Sequence, residues 1–293
     1  MNILITGCNG QLGNEMQLIA QRENQHRWYF TDIAVLEGKD TLVLDITDEK
    51  AINDFADQYA IDCIVNCAAY TAVDKAESAP ELCHLLNATA PGYLAAAMGR
   101  RGGSIVQVST DYVFDGTGHT PYTEDLPTCP NSVYGRTKLA GEDAVRQGCP
   151  GQHVIIRTAW LYSTFGNNFV KTMLRLGREK SELGVIFDQV GTPTYARDLA
   201  SAIMAAINHG IVPGTYHFSN EGVTSWYDFT VAIHRLAGIT TCNVRPLHTS
   251  EYPTPAARPH YSVLDKTLIK KTFNITIPHW EQSLAECVAA LEG

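Results

Sequence analysis

The sequence predicts an α/β protein built on a doubly wound parallel sheet, with a smaller, interleaved C-terminal lobe. Three observations predict it. Short β-branched runs alternate with longer helical patterns through the first half, a Gly-rich turn joins the first run to the first helix, and the alternation loosens after residue 160. A chain of 293 residues can bury a large core. The expected division is a sheet domain over 1–160 and a lobe over 161–293, some of whose segments return to the sheet.

Residues 2–6 (NILIT) form a continuous apolar run, as a strand covered on both faces requires, and 11–22 has helical spacing. A strand over 28–31 and a helix over 47–59 follow. DCIVN (62–66) is the next strand, 80–101 a long Ala- and Leu-rich helix, and SIVQV (104–108) a further strand. A helix over 131–146 and the strand HVIIR (153–157) complete the repeats. Beyond them, GNNF (166–169), GTPT (191–194) and YPTPAARP (252–259) read as loops around a site. Helices are expected at 196–209, 225–237 and 279–291, with a short strand at 215–218.

The charge balance, 22 Lys and Arg against 31 Asp and Glu for a net −9, argues against nucleic acid as a partner. Affinity for a phosphate backbone comes from clustered cations, and no basic run is present. No stretch approaches the ~18 continuous apolar residues of a membrane span, so no membrane partner and a cytoplasmic location are expected. Eight cysteines without a CxxC pair are expected to be reduced, and Cys63 and Cys67, on one face of a strand, to be small buried hydrophobes.

Gly7-Cys8-Asn9-Gly10-Gln11-Leu12-Gly13 follows the first strand and opens a helix, spacing its glycines as GxxGxxG. Gly7, Gly10 and Gly13 permit a tight turn and close approach of backbone to a pyrophosphate, which then lies over the helix N-terminus at Gln11 and Leu12. Asp32 ends the second strand, where a carboxylate accepts from ribose hydroxyls. These features make the sheet Rossmann-type and the cofactor a nicotinamide dinucleotide. No Lys or Arg directly follows Asp32 in IAVLE (33–37), which favours NADH. NADPH stays open, since a basic residue can arrive from elsewhere. Asp45 and Ile46 end the β-like run TLVLDI, a position suited to adenine, although Asp45 serves equally as a helix cap. Ala69, Tyr70 and Thr71 follow DCIVN, with room for the dinucleotide backbone.

Tyr134 and Lys138 stand four residues apart near a helix start, so phenol and ammonium share one face. Ser109, Thr110 and Asp111 follow SIVQV at the carboxyl edge, where doubly wound sheets place their chemistry. A cation beside a phenol draws its pKa down from ~10. Tyr134 is therefore expected to protonate a carbonyl oxygen, Thr110 to hold that oxygen, and Lys138 to reach the nicotinamide ribose as well.

GxxGxxG, TAVDKAE (71–77), STDYVFDG (109–116), YGRTKLAGE (134–142) and RTAWLYSTFGNNF (157–169) resemble the extended short-chain dehydrogenase/reductase superfamily. Within it, they are similar to the dTDP-4-dehydrorhamnose reductase family, as are DQVGTPT (188–194) and YPTPAARP. The resemblance implies reduction of the 4-keto group of dTDP-4-dehydro-L-rhamnose by NADH or NADPH, with a C-terminal substrate-binding lobe. It places Thr110, Tyr134 and Lys138 on the catalytic trio and Asp111 and Trp160 on substrate contacts. Asn167, Asn168 and Arg258 are further candidates for the sugar nucleotide, amides suiting hydroxyls and a guanidinium suiting pyrophosphate. Some family members hold magnesium between subunits; Glu15 and Glu292 could contribute, but Arg197 stands where another acid is expected, which leaves Mg2+ and a homodimer open. Alternative readings are another nucleotide-sugar reductase or epimerase, or a non-catalytic regulatory subunit of a methionine adenosyltransferase.

Overall fold

The computed structural model describes residues 1–36 and 38–293; Glu37, the last residue of the run after Asp32, lies outside the described residues. Seven parallel strands form the central sheet. They are β1 (Asn2–Thr6), β2 (Arg27–Asp32), β3 (Leu42–Val43), β4 (Cys63–Asn66), β5 (Ser104–Thr110), β6 (His153–Thr158) and β7 (Gly214–His217). Their spatial order is β7-β6-β5-β4-β1-β2-β3. The order reverses between β1 and β4, opening the crevice in which such sheets bind ligands. Doubly wound topology, expected from the βα repeats, is therefore observed.

Alternation along β1 explains the two cores. Ile3 and Ile5 point to one face, where helix α1 (Gln11–Ala20) packs with Leu12 and Met16 beside Ile203 and Ile207. Leu4 points to the other, against Ile52 of α2 (Glu49–Gln58) and Leu94 and Met98 of α3 (Ala90–Arg101). On this second face also lies α4 (Val133–Gly148), the helix that carries Tyr134 and Lys138.

The helix expected over 80–101 is broken. Pro80–His84 is α-helical, Leu85–Thr89 is a π turn, and α3 follows. Pro91 has no N–H to donate to the Asn87 carbonyl four residues back, which favours opening of the helix at this point. Gly141 of α4 packs against that carbonyl, and a Cβ there would lie 2.0 Å from it. The TLVLDI run pairs only at Leu42–Val43, a short exposed edge strand of the kind that resists further pairing.

In the C-terminal part, α5 (Phe169–Glu179), α7 (Trp226–Leu236) and α8 (Trp280–Glu292) enclose a separate core with Tyr162, Tyr195, Phe229 and Leu284. A parallel pair, Glu182–Ile186 with Asn243–Leu247, covers it. Meanwhile α6 (Ala196–His209) and β7 return to the central sheet. Helix α5 and this pair were not anticipated, since GNNF reads as loop. Asn168 of that run is the helix's N-cap, its Oδ1 accepting from Lys171 N at 3.1 Å. No helix among the described residues is long and apolar enough to cross a membrane. All eight cysteines are free, and burial pushes the Cys63 thiol up to about 11 and Cys287 to about 12, well away from reactive thiolate.

Candidate active site

Gly7 adopts φ +63°, and a Cβ on it would lie 2.6 Å from Ala68 N. Gly13 is equally constrained, its added Cβ falling 2.4 Å from the Gly7 carbonyl oxygen. The ends of β1 and β4 and the start of α1 therefore close tightly only with glycine there. No side chain caps α1 at Gly10, which leaves its first N–H groups for an outside acceptor. This bare, glycine-lined helix start fits a dinucleotide pyrophosphate. Asp32 steadies the loop, its Oδ2 accepting from Asn9 N at 3.0 Å and its Oδ1 from Ile33 N at 2.8 Å. Each oxygen keeps a lone pair for a ribose hydroxyl.

The adenine candidates differ from expectation. Asp45 is exposed and closes a turn, accepting from Thr47 N and Thr47 Oγ1, while Asp48 caps α2. Ile46 lies in the core with Leu44 and Ile52 and so forms no open wall. Ala69, Tyr70 and Thr71 border the crevice after β4. Tyr70 is clasped at its backbone by Asn87, which accepts from its N–H at 2.9 Å and donates to its carbonyl at 3.0 Å. Asn87 belongs to the π turn and was missed in the sequence; Pro91 was the available signal.

At the carboxyl end of β5, Thr110 Oγ1 donates to Asp111 Oδ1 (2.9 Å) and accepts from Tyr112 N (3.2 Å). Ser132 caps α4 through Gly135 N at 3.1 Å, which sets Tyr134 in the first turn. Gly135 is required because a Cβ would meet the Tyr112 carbonyl at 2.3 Å. The rings of Tyr112 and Tyr134 meet edge to face, 5.5 Å between centroids.

Burial pushes the Tyr134 phenol well above its ordinary range, with the Thr110 hydroxyl pulling it partly back. This corrects the expectation that Lys138 draws the phenol down. Lys138 Nζ instead donates to the Val108 carbonyl at 2.6 Å, and burial lowers its own pKa to about 8. The same desolvation drives Asp111 up to about 7, with one carboxylate oxygen, Oδ2, buried and unpartnered.

Behind this edge, Glu142 of α4 accepts from Ser109 Oγ (2.6 Å), Arg157 Nε (2.9 Å) and Nη2 (2.8 Å), and Arg146 Nη2 (2.8 Å). Burial alone would raise the Glu142 carboxyl, but Arg157 above all outweighs it and holds the group below its ordinary value. This network, also missed in the sequence, ties the helix of Tyr134 to β5 and β6.

A cavity of about 570 Å³ opens beside Tyr112, lined among others by Asp74, Trp160, Phe169, Trp226 and Arg258. Trp160 has φ +50°, unusual for a bulky residue, and stacks on Trp226 at 3.5 Å with 12° between planes. A more open cleft of about 720 Å³ lies over Glu81, His84 and Arg136, away from Thr110. Asn167 is exposed and Asn168 is spent on capping and on Gln11 Oε1 (3.0 Å); neither lines the 570 Å³ cavity.

Within this chain the carboxylates raised for magnesium each lie beside an arginine. Glu15 is buried, its Oε1 accepting from Ser163 Oγ at 2.6 Å, and Arg197 Nε lies 3.6 Å from its Oε2. Glu292 is met by Arg178. A cation beside Glu15 would face the Arg197 guanidinium of the same chain in place of a further carboxylate. Treatment with EDTA is expected to leave turnover and Tm unchanged; a loss restored by Mg2+ would contradict this.

A family model described as the RmlD substrate binding domain matches residues 1–292. The dTDP-4-dehydrorhamnose reductase of Salmonella typhimurium is 42% identical over 96% of this chain and 95% of its own. This chain belongs to the dTDP-4-dehydrorhamnose reductase family. A crystal structure of such a reductase from Clostridium acetobutylicum superposes with TM-score 0.93 at 45% identity, covering 100% of both chains. One from Bacillus anthracis, in complex with NADP, has TM-score 0.88 at 36% identity and covers 99% of each.

Proposed function

We propose that the chain reduces the 4-keto group of dTDP-4-dehydro-L-rhamnose, giving dTDP-L-rhamnose, with NADH or NADPH as the electron donor. The observation that carries this reading is Tyr134 in the first turn of α4, beside the carboxyl edge of β5, its ring packed on Tyr112, which lines the 570 Å³ cavity. Gly7, Gly10, Gly13 and Asp32 would hold the dinucleotide, which when bound supplies a hydride to the keto carbon. Tyr134 gives its proton to the oxygen of that carbon, and Thr110 orients the oxygen by a hydrogen bond. Lys138, charged below about pH 8 and one helical turn from Tyr134, is assigned to the nicotinamide ribose. Asp111, with its free Oδ2, and Trp160 are assigned to the sugar, and Arg258 to the diphosphate. The test is oxidation of NADH or NADPH by the purified protein given the keto sugar nucleotide. Turnover with neither would defeat the reading.

Two consequences are specific. Lys138 loses its charge as pH rises through about 8, so kcat is expected to fall on the alkaline side, and a flat profile to pH 10 would contradict its role. For the cofactor, Asp32 favours NADH by accepting from the ribose and repelling a 2′-phosphate. Lys39, whose ammonium donates to Asn14 at the start of α1, is a cation near the adenosine end, consistent with use of NADPH as well. Asp32→Ala is expected to raise the KM for NADH more than that for NADPH; equal changes in steady-state assays would remove the assignment.

A further inference from the structure

Arg258 sits in the YPTPAARP loop, and how it is held points to a residue outside the catalytic trio. Its Nη2 donates to Asp74 Oδ2 at 2.7 Å. The other oxygen, Asp74 Oδ1, accepts from the backbone N of Ala256 at 3.2 Å. One carboxylate therefore binds both the guanidinium and the loop that carries it. The second terminal nitrogen, Arg258 Nη1, is buried and has no protein partner, while Asp74 and Arg258 both line the 570 Å³ cavity. A buried guanidinium N–H left unpaired is costly, and an anionic ligand is the natural group to satisfy it. The loop is pinned once more at Pro259, which packs so closely on Gly116 (φ +76°) that a Cβ there would lie 2.4 Å from it. Tyr112 lines the same cavity as Arg258, and its ring packs on Tyr134.

We infer that Asp74 is a positioning residue for the sugar nucleotide's diphosphate: it fixes Arg258 and the 252–259 loop so that Nη1 faces the phosphates. This rests on the nucleotide-sugar reading above. Asp74 lies in a short helix of the sheet domain (Val73–Ala76) and Arg258 in a loop 184 residues further on, so the pair also joins the two walls of the cavity. Asp74→Asn keeps the size and one acceptor but turns an amide N–H or an uncharged oxygen toward the guanidinium.

The test compares dTDP with thymidine as competitive ligands, in equilibrium binding to the full-length protein. Asp74→Asn is expected to weaken dTDP about tenfold, the scale of one charge-assisted hydrogen bond, and to leave thymidine unchanged. In turnover, KM for the keto sugar nucleotide should rise with kcat and the KM for NADH nearly constant, and Asp74→Glu should restore part of the loss. Arg258→Gln should mimic Asp74→Asn, and the double variant should lose little more than either single one. Equal weakening of dTDP and thymidine would reduce Asp74 to a structural role, and unchanged dTDP binding would overturn the inference outright. Wild-type protein that binds no dTDP would instead defeat the nucleotide-sugar reading, and this inference with it.

Discussion

Tyr134→Phe is expected to lower kcat by about 10²–10⁴-fold, the usual contribution of a positioned general acid, with the KM for NADH nearly unchanged. The ring survives the substitution, so its edge-to-face contact with Tyr112 and the start of α4 are retained. Only the proton is removed. Because burial holds the phenol in its neutral form, Tyr134 enters each turnover with its proton in place, and no prior protonation step is required. Stopped-flow measurement of the hydride step is the sharper assay, since product release then cannot mask the loss. Turnover equal to wild type would refute Tyr134 as donor.

Glu142→Ala is expected to cost about 3–5 kcal/mol of stability, the range for breaking a buried ion pair from one side. It strands the Arg157 guanidinium, which is 3% exposed, and frees Ser109 next to Thr110. A thermal melt should shift by roughly 6–15 °C at neutral pH. The pH dependence has a definite sign. The Glu142 carboxyl is held below its ordinary 4.5, so its contribution is present above that pH and is lost as pH falls through the lowered value. Wild type and variant should therefore converge in acid. The same carboxylate raises the Lys138 pKa, so the alkaline fall in kcat should move to lower pH in the variant. Melting within about 1 °C of wild type at pH 7 would show that the network contributes little.

The sheet was legible in the sequence because its signals are local. Each strand buried on both faces is a continuous apolar run, and each crossover helix carries its own periodicity. Gly7, Gly10 and Gly13 announced the first turn, and at Gly7 and Gly13 no other residue tolerates the approach of neighbouring backbone. What escaped depended on contacts distant in sequence. Asn168 looked like a loop residue until the helix it caps was visible. Pro91 was overlooked because the Ala-rich helix around it reads as unbroken, although its missing N–H favours the π turn that carries Asn87. Glu142, Arg157 and Ser109 meet across a helix and two strands, and no spacing rule links them. The pKa of Tyr134 was misjudged for a related reason: an i, i+4 cation was weighed, but desolvation was not.

In the proposed reaction this chain delivers hydride to C4 of a dTDP-4-keto sugar while Tyr134 protonates O4. The most direct measurement uses NADH deuterated at the transferable position with dTDP-4-dehydro-L-rhamnose, and reads the sugar product by NMR. The expected product is dTDP-L-rhamnose carrying deuterium at C4. A product without that deuterium, or a sugar epimerised but not reduced, would contradict it.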